Sequence, residues 1–261
     1  MLRAFASLGH GLLDFLSFLG GSFLLFADTL GYLARGRLSL RDTVRQMSAI
    51  GGDSLPIVLV TLLFGGMVLS LHTVDQFVRF GATSLIGGVV AISMTRELAP
   101  VLTGVVVAAR AGSAMAAELG SMNITEQVDA LRALAVSPTR YLVVPRLLAA
   151  VLILPIITTF AIAAGGLGAF LVAVSQGVSA AEYIASIQRF LSWSDLFGGL
   201  AKTMVFGGII AMVGTYRGLT ASGGAQGVGR ATTSAVVLSI VLIYAVNYFL
   251  SWLILRLWSG G

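Results

Sequence analysis

Three charge-free apolar runs constrain this chain more than any other feature: Ser54 to Val74, Leu147 to Ala181 and Ala231 to Leu255. A helix crossing the hydrocarbon of a bilayer needs about 20 predominantly apolar residues, and each run supplies them. Two further runs are broken by charge. Gly81 to Thr95 continues through Leu98 to Ala109 across Arg96-Glu97, and Leu196 to Thr215 contains Lys202. The expectation is an all-α integral membrane protein forming a single domain over 1–261. Five transmembrane helices are placed at 54–74, 82–109, 147–174, 196–215 and 231–255. The third run is long enough to hold a helix and then a polar exit at Ser175-Gln176-Gly177.

The N-terminal stretch reads differently. Phe15 to Ala27 is only 13 residues between charges. Its aromatics (Phe15, Phe18, Phe23, Phe26), flanked by Arg3, Arg35 and Arg37, suit a helix lying in the interface. Residues 2–34 are therefore read as interfacial, with a short first span as the alternative. A signal peptide fits poorly, because Asp14 interrupts the run and no convincing cleavage site follows.

Composition supports the class. Hydrophobic residues make up 57% of the 261, charged residues 10%, against the roughly 25% charged of soluble domains. The mean hydropathy is +0.97. No Cys is present, which removes disulfides and thiolate chemistry, and two histidines (His10, His72) make no His-rich metal site. The net charge of +5 is carried almost entirely by Arg and describes topology better than nucleic-acid binding. Arg35, Arg37, Arg41, Arg45, Arg110, Arg132, Arg140, Arg146, Arg217 and Arg230 fall on one side of the expected spans. Only Arg79, Arg189 and Arg256 fall on the other. The N-terminal segment and the 110–146 insert are thus expected in the cytoplasm and the C-terminus outside.

Small residues recur every fourth position: Gly104, Ala108, Gly112; then Ala161, Gly165, Ala169, Ala173; then Gly199, Thr203, Gly207, Ala211, Thr215. Such stripes let helices approach closely, either within one subunit or across a dimer seam.

The insert at 113–137 is the sharpest functional signal. Glu126, Asp129 and Arg132 are spaced to share a helical face, Glu118 adds a further charge, and Thr125 is placed to cap a helix with Asp129 in its first turn. A plain solvated loop is the bland reading, but the segment is rich in helix formers. Glu118, Glu126, Asp129 and Arg132 are candidates for coupling to a soluble partner.

The run RELAPVLTGVVVAARAGSAMAAELGSMNITEQVDALRALAVSPTRYLVVPR resembles the signature of the Mla/Mce-associated lipid ABC transporter permeases, the MlaE-like family that includes the plastid lipid importer permease. GGAQGVGRATTSAVV (Gly223 to Val237) is similar to that family's second signature. The resemblance covers the chain from about residue 35. It implies a homodimeric permease in the inner membrane, bound to cytoplasmic ABC ATPase subunits and to a ring of Mce-domain lipid-binding proteins. The implied task is moving glycerophospholipid between membrane and ring, a task bearing on outer-membrane lipid asymmetry. Residues 113–137 would then be the coupling helix that docks on the ATPase. No cofactor is expected in this chain, ATP and Mg being held by the partner. No G-x-x-x-x-G-K-[ST] occurs, and Gly223, Gly224, Gly227 and Gly229 read as a tight turn rather than a phosphate loop.

Charges at membrane depth are costly and functional by default. Arg96, Glu97, Lys202 and Asn247 are the candidate intramembrane polar cluster, with Glu97 and Lys202 of opposite sign. Snorkelling to the interface is the competing reading. Arg96, on a different face from Glu97, is expected near the cytoplasmic head groups. An ion-coupled secondary transporter of an amphipathic substrate is the alternative function, although Glu97 is the only carboxylate well placed for it. An intramembrane enzyme lacks catalytic groups.

Overall fold

Ser39 caps a helix of 40 residues. Its hydroxyl accepts from the Asp42 amide at 3.4 Å, and the chain then runs unbroken to Arg79. The computed structural model describes the backbone of residues 2–36 and 39–258, with side chains over 16–36 and 39–256. The side chains of Arg3, His10, Asp14, Phe15 and Arg37 lie outside that range. Among the described residues every regular element is helical.

In chain order these are α1 (Leu2–Ala34), α2 (Leu40–Arg79), α3 (Thr83–Ile124), α4 (Gln127–Ala133), α5 (Thr139–Ser175), α6 (Ala180–Phe190), α7 (Trp193–Leu219) and α8 (Gly224–Trp258). The expected spans at 54–74, 147–174, 196–215 and 231–255 fall within α2, α5, α7 and α8, and that at 82–109 starts one residue before α3. Leu16–Ala34 of α1 is also long and apolar enough to cross, making six such helices among the described residues. α5 ends at Ser175 as the polar exit predicts, with Gly177 turning at φ 90°.

The small-residue stripes pack inside the chain. A Cβ added to Gly66 of α2 would stand 1.9 Å from the Gly165 carbonyl of α5, and one on Gly168 would stand 2.2 Å from the Leu63 carbonyl. On α7, a Cβ at Gly199 would meet the Thr95 carbonyl at 2.1 Å and one at Gly207 the Ala150 carbonyl at 2.5 Å. Backbone therefore lies against backbone, which only residues without a side chain permit. Between these contacts sit fully buried Val58, Leu62, Met94, Leu154, Phe206, Ile210 and Ile243. The amphipathic α6 lies against the first turns of α3. The Ser186 hydroxyl accepts the Gly88 amide at 3.0 Å, and Tyr183 packs edge-on to Phe170. Burial pushes the Tyr183 phenol up to about 12.

Two expectations about the insert are corrected. Residues 113–124 are not part of a separate insert. They continue α3 and bury Met115, Ala116, Leu119 and Gly120 against α7 and α8, because no proline interrupts the helix between Ser113 and Ile124. Thr125 consequently ends α3, with its hydroxyl donating to the Ser121 carbonyl at 2.8 Å. The N-cap of α4 falls to Glu126, at φ 60° and without a side-chain cap. The glycine-rich segment is a turn in its first half, with Gly223 and Gly224 at φ 89° and 69°. Gly227 and Gly229 lie in the opening turns of α8.

Candidate functional site

The local chemistry of Arg96-Glu97-Leu98-Ala99-Pro100 builds the site. Pro100 has no N–H to give the Arg96 carbonyl its usual four-residue bond, and α3 widens into a π turn over Met94–Leu98. Such widened turns are rare and recur at functional sites. The Lys202 ammonium, from α7, donates to the Arg96 carbonyl at 2.8 Å. Its other contacts are Glu97 Oε1 and the Ser251 hydroxyl, both at 2.7 Å. Three donors thus find three acceptors, which offsets the cost of a lysine only 3% exposed.

Both oxygens of Glu97 are engaged as well. Oε1 also faces the Ser251 hydroxyl at 2.8 Å, and Oε2 accepts from Asn247 Nδ2 at 2.9 Å. The four-member cluster expected from sequence divides in two. Glu97, Lys202 and Asn247 come together, while Arg96 points to Asp195 at the start of α7, with Nε 2.6 Å and Nη2 2.5 Å from Oδ1. Asp195 is buried, and its Oδ2 accepts from the Ser192 amide at 2.9 Å in a capping box.

Arg96 is therefore not at the insert end. α7 runs parallel to α3, so Gly199 lies beside Thr95 whereas Gly218 lies beside Ala116 and Leu119. Arg96 and Asp195 sit near the end remote from the 125–137 insert, and the cytoplasmic head-group position is withdrawn for that reason. Sequence reasoning missed Ser251 and Asp195. The signals were a hydroxyl four residues after Asn247, on one helix face, and the Ser192-x-x-Asp195 spacing of a capping box.

Arg96, Glu97, Asp195, Lys202 and Ser251 form the polar wall of a cavity of about 440 Å³, faced by Gly198, Gly199, Ile254 and Leu255. The charged groups are gathered on one wall and most of the remaining surface is apolar, so the lining suits an amphipathic molecule. A second, larger groove of about 630 Å³ lies between α1, α5, α7 and α8, with walls such as Phe23, Leu33, Leu147, Met204 and Leu242. Arg217 stacks over Phe18 at its margin, 4.5 Å from the ring centre.

The remaining candidates lie at the other end. Glu118 pairs with the buried Arg146 at 2.7 Å and so ties α3 to α5. Arg110 pairs with Asp53 of α2 at 2.7 Å. Asp129 and Arg132 form an exposed pair at 2.7 Å on α4, and Glu126 stands exposed at its start. Buried Val128, packed with Leu119 and Leu142, pins this short helix to the bundle. Asn123 Nδ2 donates to the Ala221 carbonyl at 3.0 Å and anchors the end of α3 to the α7–α8 turn.

With this geometry in view, comparison with known proteins is specific. The family described as Permease MlaE matches residues 43–253. A probable ABC transporter permease protein of Synechocystis is 44% identical over 248 residues, covering 95% of this chain and 94% of its own length. A probable ABC transporter permease protein of Rickettsia felis is 43% identical, over 88% of this chain and 90% of its own. The Arabidopsis thaliana chloroplastic protein named trigalactosyldiacylglycerol 1 is 41% identical, over 84% of this chain and 63% of its own.

Proposed function

The chain belongs to the MlaE family of ABC transporter permeases, and on that premise we propose that its cargo is glycerophospholipid. It moves this lipid between the inner membrane and an extracytoplasmic Mce-domain protein, driven by ATP hydrolysis in a partner chain. The observation that carries the reading is the amphipathic cavity at Glu97 and Lys202, where a fixed ion pair faces Ile254 and Leu255 across about 440 Å³. A head group needs the first wall and acyl chains the second. The Arabidopsis relative is named for a galactosylated diacylglycerol, which supports a diacylglycerol-based lipid as cargo without specifying the head group.

In this reading two copies of the chain assemble, each contributing the exposed apolar face of α8 (Val237, Val241, Tyr244, Tyr248) to lipid or to its twin. The exposed Glu126, Asp129 and Arg132 of the insert meet the ATPase, which binds ATP and Mg. Glu118 supports them from behind, through Arg146. The arginine bias places that insert in the cytoplasm and the C-terminus outside. The ion-coupled alternative loses support because its one suitable carboxylate, Glu97, is committed to Lys202.

Reconstitution with the ATPase in vesicles carrying fluorescent phospholipid tests the proposal. ATP-dependent lipid movement is expected. Movement driven by an ion gradient without ATP would favour the alternative, and ATP-driven movement of a soluble amphiphile but no lipid would refute the cargo.

A further inference from the structure

A cavity of about 500 Å³ opens between the end of α1, the start of α2 and the segment leading into α5. Tyr32, Ser39, Asp42, Ser137, Arg140 and Tyr141 line it. Two opposite charges share this space, yet among the described residues no ion pair joins Arg140 to Asp42 or to any other acid. The Asp42 carboxylate takes the Ser39 hydroxyl instead. The Arg140 guanidinium has no acceptor among the described residues, although its backbone amide reaches the Ser137 hydroxyl at 3.4 Å.

We propose that this cavity binds a zwitterionic phospho-amine group, its phosphate on Arg140 and its primary ammonium on Asp42. An arginine fork matches phosphate oxygens, with the Tyr and Ser hydroxyls as further donors, and a carboxylate accepts from an ammonium. The volume is of the size that small ligands occupy. Depth fits as well. The apolar stretch Leu16–Ala34 ends beside the cavity and that of α5 begins there, while Arg35, Arg41 and Arg45 follow within a few residues. Two tyrosines at such a boundary present an apolar body and a polar tip. The site is distinct from the Glu97–Lys202 cavity, which lies toward the opposite end of the bundle, so its failure would leave the lipid cargo untouched.

The same group occurs in phosphatidylethanolamine and in soluble glycerophosphoethanolamine. The full chain, extracted from bilayers of equal phosphatidylethanolamine and phosphatidylglycerol, is compared by native mass spectrometry with Arg140→Gln, Arg140→Lys and Asp42→Asn. Wild type should retain phosphatidylethanolamine preferentially. Arg140→Gln and Asp42→Asn should each reduce that preference about tenfold, the scale of one charge-assisted hydrogen bond. Arg140→Lys, which keeps the charge, should lose less. Arg140 is exposed, so its variants fold. Displacement by added glycerophosphoethanolamine would assign a soluble ligand and resistance a lipid, both supporting the chemistry. Equal preference in all four proteins would overturn it. So would an Arg140→Gln effect identical for both lipids with none from Asp42→Asn, or displacement by glycerol 3-phosphate alone, since each describes a bare anion site.

Discussion

Lys202 and Glu97 close a 2.7 Å ion pair in which the lysine is 3% exposed and the glutamate 48%. The pair is asymmetric: α7 buries its cation, while the anion of α3 faces the cavity. Removing the glutamate strands a buried ammonium, whereas removing the lysine leaves a carboxylate that water can reach.

Glu97→Gln should therefore destabilise the protein by about 3 kcal/mol, more than Lys202→Met does, and the double variant should be less impaired than the sum. A double-mutant cycle on thermal unfolding and lipid transfer measures the coupling. Strict additivity would mean that the two charges do not interact.

Pro100→Ala restores an amide that competes with Lys202 for the Arg96 carbonyl. The helix should become more regular, with unchanged or slightly higher thermal stability, while transport falls several-fold as the lysine loses one acceptor. Equal transport in both proteins would separate the π turn from function.

Gly66→Ala places a methyl 1.9 Å from the Gly165 carbonyl. Backbone cannot rotate aside, so α2 and α5 must part, and folded yield should collapse. Gly166→Ala, with nothing within 4 Å, should be neutral or gain up to about 1 kcal/mol from helix propensity. Detergent-extracted yield and melting temperature distinguish them.

Charge reversal at Glu126 and Asp129 should lower ATPase co-purification several-fold while the permease stays folded. Glu126→Gly separates charge from shape, because glycine adopts the left-handed conformation of that position without strain. It should leave melting unchanged or raised, yet still weaken the partner. Unaltered co-purification in every variant would remove α4 from the interface.

Much of this was legible in the sequence. Unbroken apolar length locates helices because lipid leaves a backbone no other way to satisfy itself, so α2, α5 and α8 follow from Ser54–Val74, Leu147–Ala181 and Ala231–Leu255 alone. The opposite charges of Glu97 and Lys202 likewise announced a pair, since neither is stable alone at that depth. What the sequence could not contain is relative height. Arg96 and Glu97 are neighbours in the chain, yet the parallel packing of α7 on α3, set by Gly199 against Thr95, sends one to Asp195 and the other to Lys202. Glu118, a coupling candidate by sequence, has buried Arg146 as a partner that only folding brings beside it. Local pattern fixes an element because its causes lie within a few residues. Partners 28 to 154 positions apart are decided by how helices slide and turn against one another, and that register is a property of the packed bundle.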